Sequence, residues 1–195
     1  NTVLRQSIVK SRVRLALTGH EGEVSSAFYG PDGQRIVTGS WDKTAKVWDA
    51  QTGKELFTLT GHKGVVRSAA FSPDGQRIVT ASFDKTAKVW NADTGQELLT
   101  LKGHDSGVNS AAYSPDGQWI VTGSGDKTAK VWDANTGQEL ITLKGHESWV
   151  WSAVWSPNGK RIATAGGDGI VQIYTTDMDE LLQIAESRVT RQLTA

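Results

Sequence analysis

The 195-residue chain is 37% hydrophobic and carries eight tryptophans, which is enough apolar material for a folded core and too much for a disordered chain. Its 21 Lys and Arg balance its 21 Asp and Glu, so the whole offers no electrostatic footprint for nucleic acid or an anionic membrane, and neither is expected as a partner. The absence of cysteine removes disulfides, thiolate catalysis and Cys-based zinc sites and suits a reducing, cytoplasmic setting, while no apolar run approaches the ~20 residues of a membrane span.

Residues 1–11 read as an N-terminal extension. They open on Asn1 without the apolar stretch of a leader, and the expectation is the trimmed end of a longer chain. Arg12 to Thr18, "RVRLALT", aligns with Lys54 to Thr60, "KELFTLT", and so reads as a strand with no unit of its own. From Gly19 the chain repeats itself: Gly19-His20, Gly61-His62, Gly103-His104 and Gly145-His146 mark units 42 residues long, and units two and three share 31 of 42 residues without an insertion.

The third unit shows the elements of all. Val108 to Tyr113 is small and apolar, then "SPDG" (Ser114 to Gly117) places Pro second and Gly fourth in a turn. "WIVTGS" (Trp119 to Ser124) is β-branched, "GDK" (Gly125 to Lys127) breaks it, and "TAKVWD" (Thr128 to Asp133) alternates like a strand. "QELITL" (Gln138 to Leu143) follows a last break at "ANTG". Four short strands in 42 residues cannot bury both of their faces, so each unit needs neighbours, and a radial stack of blades supplies them. The fourth unit offers three strands, "VWSAVW", "RIATAG" and "IVQIY". Beyond them, Asp177 with Glu180 forms a capping box, Leu181, Ile184, Ala185 and Val189 share one face, and Arg188 and Arg191 close a helix expected within 175–195 as a cap on the last blade.

Gly103-His104, Ser124-Gly125-Asp126 and Trp132-Asp133, repeated in register over roughly residues 12 to 174, resemble the signatures of the WD-repeat β-propeller family. The resemblance implies an all-β chain, a propeller of four-stranded antiparallel blades, four per chain, with a short C-terminal helix. It also implies a buried hydrogen-bonded chain in each blade: His20, Ser40, Asp42 and Trp48; His62, Ser82, Asp84 and Trp90; His104, Ser124, Asp126 and Trp132. The fourth unit keeps His146 and Asp168 but has Gly166 in place of Ser and Tyr174 in place of Trp, so its network is expected to be incomplete. A Ser, His and Asp per unit also suggest a hydrolase, but no Gly-x-Ser-x-Gly elbow surrounds these serines and three equal active sites would be odd. Four His spread one per unit cannot converge on one metal, and no cofactor motif is present.

WD-type rings usually hold about seven or eight blades within a range of 4 to 8. The expectation is therefore a C2 homodimer of eight blades, Arg12 to Thr18 of each copy completing the last blade of the other; a strained four-bladed monomer and an open array are the competitors. Near-identical units also resemble the C-terminal arrays of bacterial signalling proteins.

Positions that vary between units are free to serve something besides the blade. Three columns stand out: Glu23, Val65, Gly107 and Trp149; Ser25, Arg67, Asn109 and Trp151; and Trp41, Phe83, Gly125 and Gly167. All fall at the d–a loop, the start of strand a or the b–c turn, the surface that the resemblance marks as the partner-binding top. Lys43, Lys85 and Lys127 lie beside them, replaced by Gly169 in the fourth unit. The expected function is a non-catalytic scaffold whose top face holds a protein or peptide, acidic or phosphorylated with an apolar anchor, through Trp41, Phe83, Trp149, Trp151, Arg67, Glu23, Asn109 and these lysines. The alternative is a structural or engineered self-assembling repeat with no ligand. Trp119, in place of Arg35, Arg77 and Arg161, is expected to be incidental.

Overall fold

Turn chemistry cuts this chain into short strands. Gly117 takes a φ of +73° and returns its N–H to the carbonyl of Ser114 at 2.9 Å, and Gly137 does the same for Asp133 with a φ of +74°, a conformation that costs glycine nothing. The computed structural model describes residues 14–175, so the expected C-terminal helix, Arg12 and Val13 lie outside the described residues.

Between the turns run fifteen strands. The first blade holds β1 (Val24–Tyr29), β2 (Arg35–Ser40), β3 (Ala45–Asp49) and β4 (Glu55–Leu59); the second β5 (Val66–Phe71), β6 (Arg77–Ser82), β7 (Thr86–Asn91) and β8 (Glu97–Lys102). The third holds β9 (Val108–Tyr113), β10 (Trp119–Ser124), β11 (Ala129–Asp133) and β12 (Glu139–Leu143); the fourth β13 (Val150–Trp155), β14 (Arg161–Gly166) and β15 (Val171–Thr175). Each blade is an antiparallel meander in sequence order, with four strands in the first three and three in the last.

The core is not inside a blade but between blades. Val37, Ala45, Val47 and Leu59 of the first blade meet Val66, Ala69, Ile78 and Trp90 of the second, and the same positions repeat at the seams between blades two and three and between three and four. A fully buried Val or Leu stabilises by about 1.5–3 kcal/mol, so each seam contributes far more than the meander alone. Trp119 is not incidental: it is buried in the third seam, filling by packing a position from which Arg35 and Arg77 instead donate to the carbonyls of Ala92 and Ala134 on the next blade.

Strand β1 packs on β5, β5 on β9 and β9 on β13, but no such packing joins β13 to β1. Among the described residues nothing therefore covers the outer faces of the two end blades. Val24 is 54% exposed where its counterpart Val66 is 0% exposed, and Ile173 is 63% exposed where Val131 is 0% exposed. Arg14 to Thr18, expected as a strand, belong to none of the sheets. Leu15 nevertheless lies against Gly53, within 2.8 Å of where a Cβ would stand, as Phe57 lies against Gly95 at 3.0 Å.

Candidate functional site

Each blade is pinned by a relay of side chains from the d–a loop, the b–c turn and strands b and c. The imidazole Nδ1 of His20, His62, His104 and His146 meets the carboxylate of Asp42, Asp84, Asp126 and Asp168 at 2.6–2.8 Å. Nε2 of the same histidines meets a threonine hydroxyl, on Thr38, Thr80, Thr122 and Thr164, at 2.7–2.8 Å. The indole N–H groups of Trp48, Trp90 and Trp132 donate to the first three of those hydroxyls at 2.8–2.9 Å. One assignment satisfies every member: indole N–H to hydroxyl oxygen, hydroxyl to Nε2, and Nδ1–H to carboxylate.

The serines expected in this chain are not in it. Ser40, Ser82 and Ser124 accept the backbone N–H of Asp42, Asp84 and Asp126 at 3.1 Å, and Ser82 and Ser124 donate to the carbonyls of Gly64 and Gly107 at 3.0 Å. They stand two residues closer to the turn than the threonines, out of the imidazole's reach, and tie the b–c turn to the d–a loop instead. The fourth unit's Gly166 accordingly does not break the relay; only the indole is missing, since Tyr174 stands in its place and its hydroxyl, beside Thr164, donates to Gln172 Oε1 and lies 3.2 Å from the Lys144 carbonyl. The signal was legible: Thr164 is retained in the unit that has lost its serine.

Electrostatics follow from burial and partners. Burial alone would raise the Asp42 carboxyl, but hydrogen bonds from Thr44, His20 and the N–H of Glu21 outweigh it and hold the group at about 2. Asp84 and Asp126 are likewise held below the usual carboxylate range against the effect of burial, and burial lowers His104 despite its contact with Asp126. Thr–His–Asp has the connectivity of a hydrolytic triad. Thr80 and Thr122 are, however, 0% exposed and capped by the indole, so no substrate reaches their oxygens.

The relay's outer end carries the variable columns. In every blade the b–c turn residue donates its N–H to the carbonyl of the d–a loop residue: Trp41 to Glu23, Phe83 to Val65, Gly125 to Gly107 and Gly167 to Trp149, at 2.8–2.9 Å. The second column coincides with a β-bulge. Ladder pairing passes over Ser25, Arg67, Asn109 and Trp151, because Val24 and Ser26, and their counterparts, pair with adjacent residues of strand b. Such a residue is excused from the sheet's alternation, which is a physical reason for the free variation at that column.

Trp41, Phe83, Trp149, Trp151 and Glu23 are exposed there. Trp149 and Trp151 form a tilted pair with ring centroids 5.2 Å apart, and the Arg67 guanidinium lies 5.3 Å over the Phe83 ring. Volume is traded across the seams: a Cβ on Gly107 would come 2.8 Å from Phe83, and one on Gly125 3.5 Å from Trp149. Asn109 departs from the expected surface. It is buried and donates across the seam to the Val150 carbonyl at 2.9 Å, since the start of strand a faces the next blade.

Lys43, Lys85 and Lys127 are exposed and hold φ near +72°, the left-handed region where Gly169 stands in the fourth blade. A lysine there costs about 1–2 kcal/mol relative to glycine. Among the described residues no ion pair engages these three, and no group of three or more His, Cys, Asp or Glu is placed to hold a metal ion.

A family model described as "WD domain, G-beta repeat" matches the chain four times, at residues 11–49, 53–91, 95–133 and 137–175. Similar curated proteins include the guanine nucleotide-binding protein subunit beta of Oryza sativa subsp. indica, 44% identical over 48 residues, 25% of this chain and 13% of that protein. The periodic tryptophan protein 2 homolog of Neurospora crassa is 56% identical over 32 residues, 16% of this chain and 4% of that protein. The ribosome biogenesis protein WDR12 homolog of Drosophila persimilis is 58% identical over 33 residues, 17% of this chain and 8% of that protein. The matches thus span a small part of each relative's length.

Proposed function

Since the chain belongs to the WD-repeat family, whose members are generally non-catalytic protein-interaction scaffolds, we propose that it is itself a non-catalytic scaffold whose top face holds an acidic peptide segment with an apolar anchor. One observation carries the reading: exposed large side chains gather on bulges and turns tied down by a buried His–Thr–Asp relay present in all four blades. Trp149, Trp151, Trp41 and Phe83 supply the apolar contact, since aromatic residues at a rigid site lose little freedom on binding. Lys43, Lys85 and Lys127 supply the positive charge, held at turn positions where glycine would cost less. A fluorescence-anisotropy screen of acidic and phosphorylated peptides, each with one aromatic or aliphatic residue, tests it. Binding that weakens at least about ten-fold, or 1.4 kcal/mol, in Trp149→Ala/Trp151→Ala and in Lys43→Glu/Lys85→Glu/Lys127→Glu is the expected result. Equal binding by the folded variants would remove the site.

A second reading, an assembling protein with no ligand, draws on the uncovered faces at the two ends of the array. It expects no peptide to bind at all.

A further inference from the structure

Every contact that joins one blade to the next in this chain has a half left unused at each end. On the last blade, Val171 and Ile173 stand where Ala129 and Val131 are buried in a seam, and they are 66% and 63% exposed. On the first, Val24, Phe28 and Tyr29 are exposed where Val108 and Tyr113 are buried. The outer edge of β15 has no partner strand among the described residues, while Arg14 to Thr18 have no sheet. Leu15 already packs on Gly53 as Phe57 packs on Gly95 and Leu99 and Leu101 on Gly137, so this segment occupies the fourth-strand place of a blade that would precede the first.

We propose that a second copy of this chain fills that place. Two arcs of four blades close head to tail into an eight-bladed ring, and Arg14 to Thr18 of each copy become the fourth strand of the other's last blade. The occupant is a second copy because the missing half of each junction is a surface this chain already builds three times. Arg35 donates to the Ala92 carbonyl and Asp93, and Arg77 to the Ala134 carbonyl and Asn135. Counted in units of 42, the exposed Arg161 then meets the Ala50 carbonyl and Gln51 of the second copy. Residue volumes agree as well: Phe83 lies against Gly107 and Trp149 against Gly125, and the new junction sets Gly167 beside Glu23, leaving room for both. This inference is independent of the peptide-binding reading.

Engineered disulfides test it, and the native chain has no cysteine to interfere. Within the chain a Cβ at position 39 comes 3.0 Å from Val66 Cγ1, and one at 123 comes 2.9 Å from Val150 Cγ1, so the matching pair across the new junction is Ala165 and Val24. Val24→Cys/Ala165→Cys should oxidise to a covalent species of twice 21.0 kDa. Mixing the two single variants should give the same mass with one disulfide, while neither alone cross-links. Arg161→Ala should raise the dimer dissociation constant about ten-fold by sedimentation, as for loss of a charged hydrogen-bond donor. A disulfide within one chain would show four blades closing alone, a ladder of masses would show an open filament, and a reduced mass of 21.0 kDa without cross-linking would show that another protein's blades are needed. Each of these outcomes overturns the ring of two copies.

Discussion

Thr122 is the residue on which each neighbour of the third relay depends: it accepts from Trp132, serves His104, and is fully buried. Thr122→Val keeps the shape and strands two buried polar groups, which should cost about 2–4 kcal/mol in urea unfolding. Ser124→Ala removes only a loop tie and should cost about 1 kcal/mol; the reverse order would return the serine to the relay. Residue identity in sequence was legible for His, Asp and Trp within every unit, whereas the hydroxyl could be told only by comparing units, through Thr164 in the one that lacks the serine. Thr122 and Ser124 lie two apart on β10 and so point to the same face, which leaves alternation unable to choose between them. Lys127 poses the converse case. Lys127→Gly should gain about 0.5–1 kcal/mol, the ~1–2 kcal/mol of relieved left-handed backbone offset in part by glycine's greater freedom in the unfolded chain, while weakening acidic-peptide binding. A variant that is both more stable and equally competent to bind would separate the lysines from function.

Strands are where the sequence spoke most plainly. Val108 to Tyr113 and Trp119 to Ser124 were delimited by turn residues and β-branched runs, and β9 and β10 have those bounds. The bulge at the start of strand a was not legible, because it is a property of pairing and leaves no residue type behind: Ser25, Arg67, Asn109 and Trp151 have nothing in common. The relay that locks strand a's loop onto strands b and c makes the blades acid-sensitive. Asp42 at about 2, with Asp84 and Asp126 also lowered, means that the native carboxylates resist protons that the unfolded chain takes up near pH 4. His104, also lowered, acts in the same direction from about pH 6.5 downward, since the unfolded imidazole protonates first. The contribution is complete above about pH 6.5 and should fall from there, most steeply between about pH 4 and 2. Urea midpoints that stay flat from pH 7 down to 2 would argue against the relay as a stabilising unit.

At the level of the whole molecule, four units were countable from Gly-His spacing, and their meander topology followed from strand length and turns. The open ends were only half legible. The orphan strand at Arg12 to Thr18 could be aligned, but the uncovered faces depend on how far four blades bend around their axis, which no residue reports. If two copies close the ring, the thermal midpoint should rise with protein concentration, and Ile173→Lys, a charge placed on the outer face of β15, should abolish that rise while the single arc stays folded. The bulges have a further consequence at this scale. A residue outside the hydrogen-bond ladder is under no obligation to alternate, so a new side chain at position 67 or 151 changes what the molecule displays without asking any strand to pair differently, whereas Ser25, like Asn109, donates across the seam to the next blade. A codon change at those two positions therefore leaves the ladder's pairing intact, and in an array whose top face binds a partner, recognition would diverge one codon at a time while the scaffold stands still.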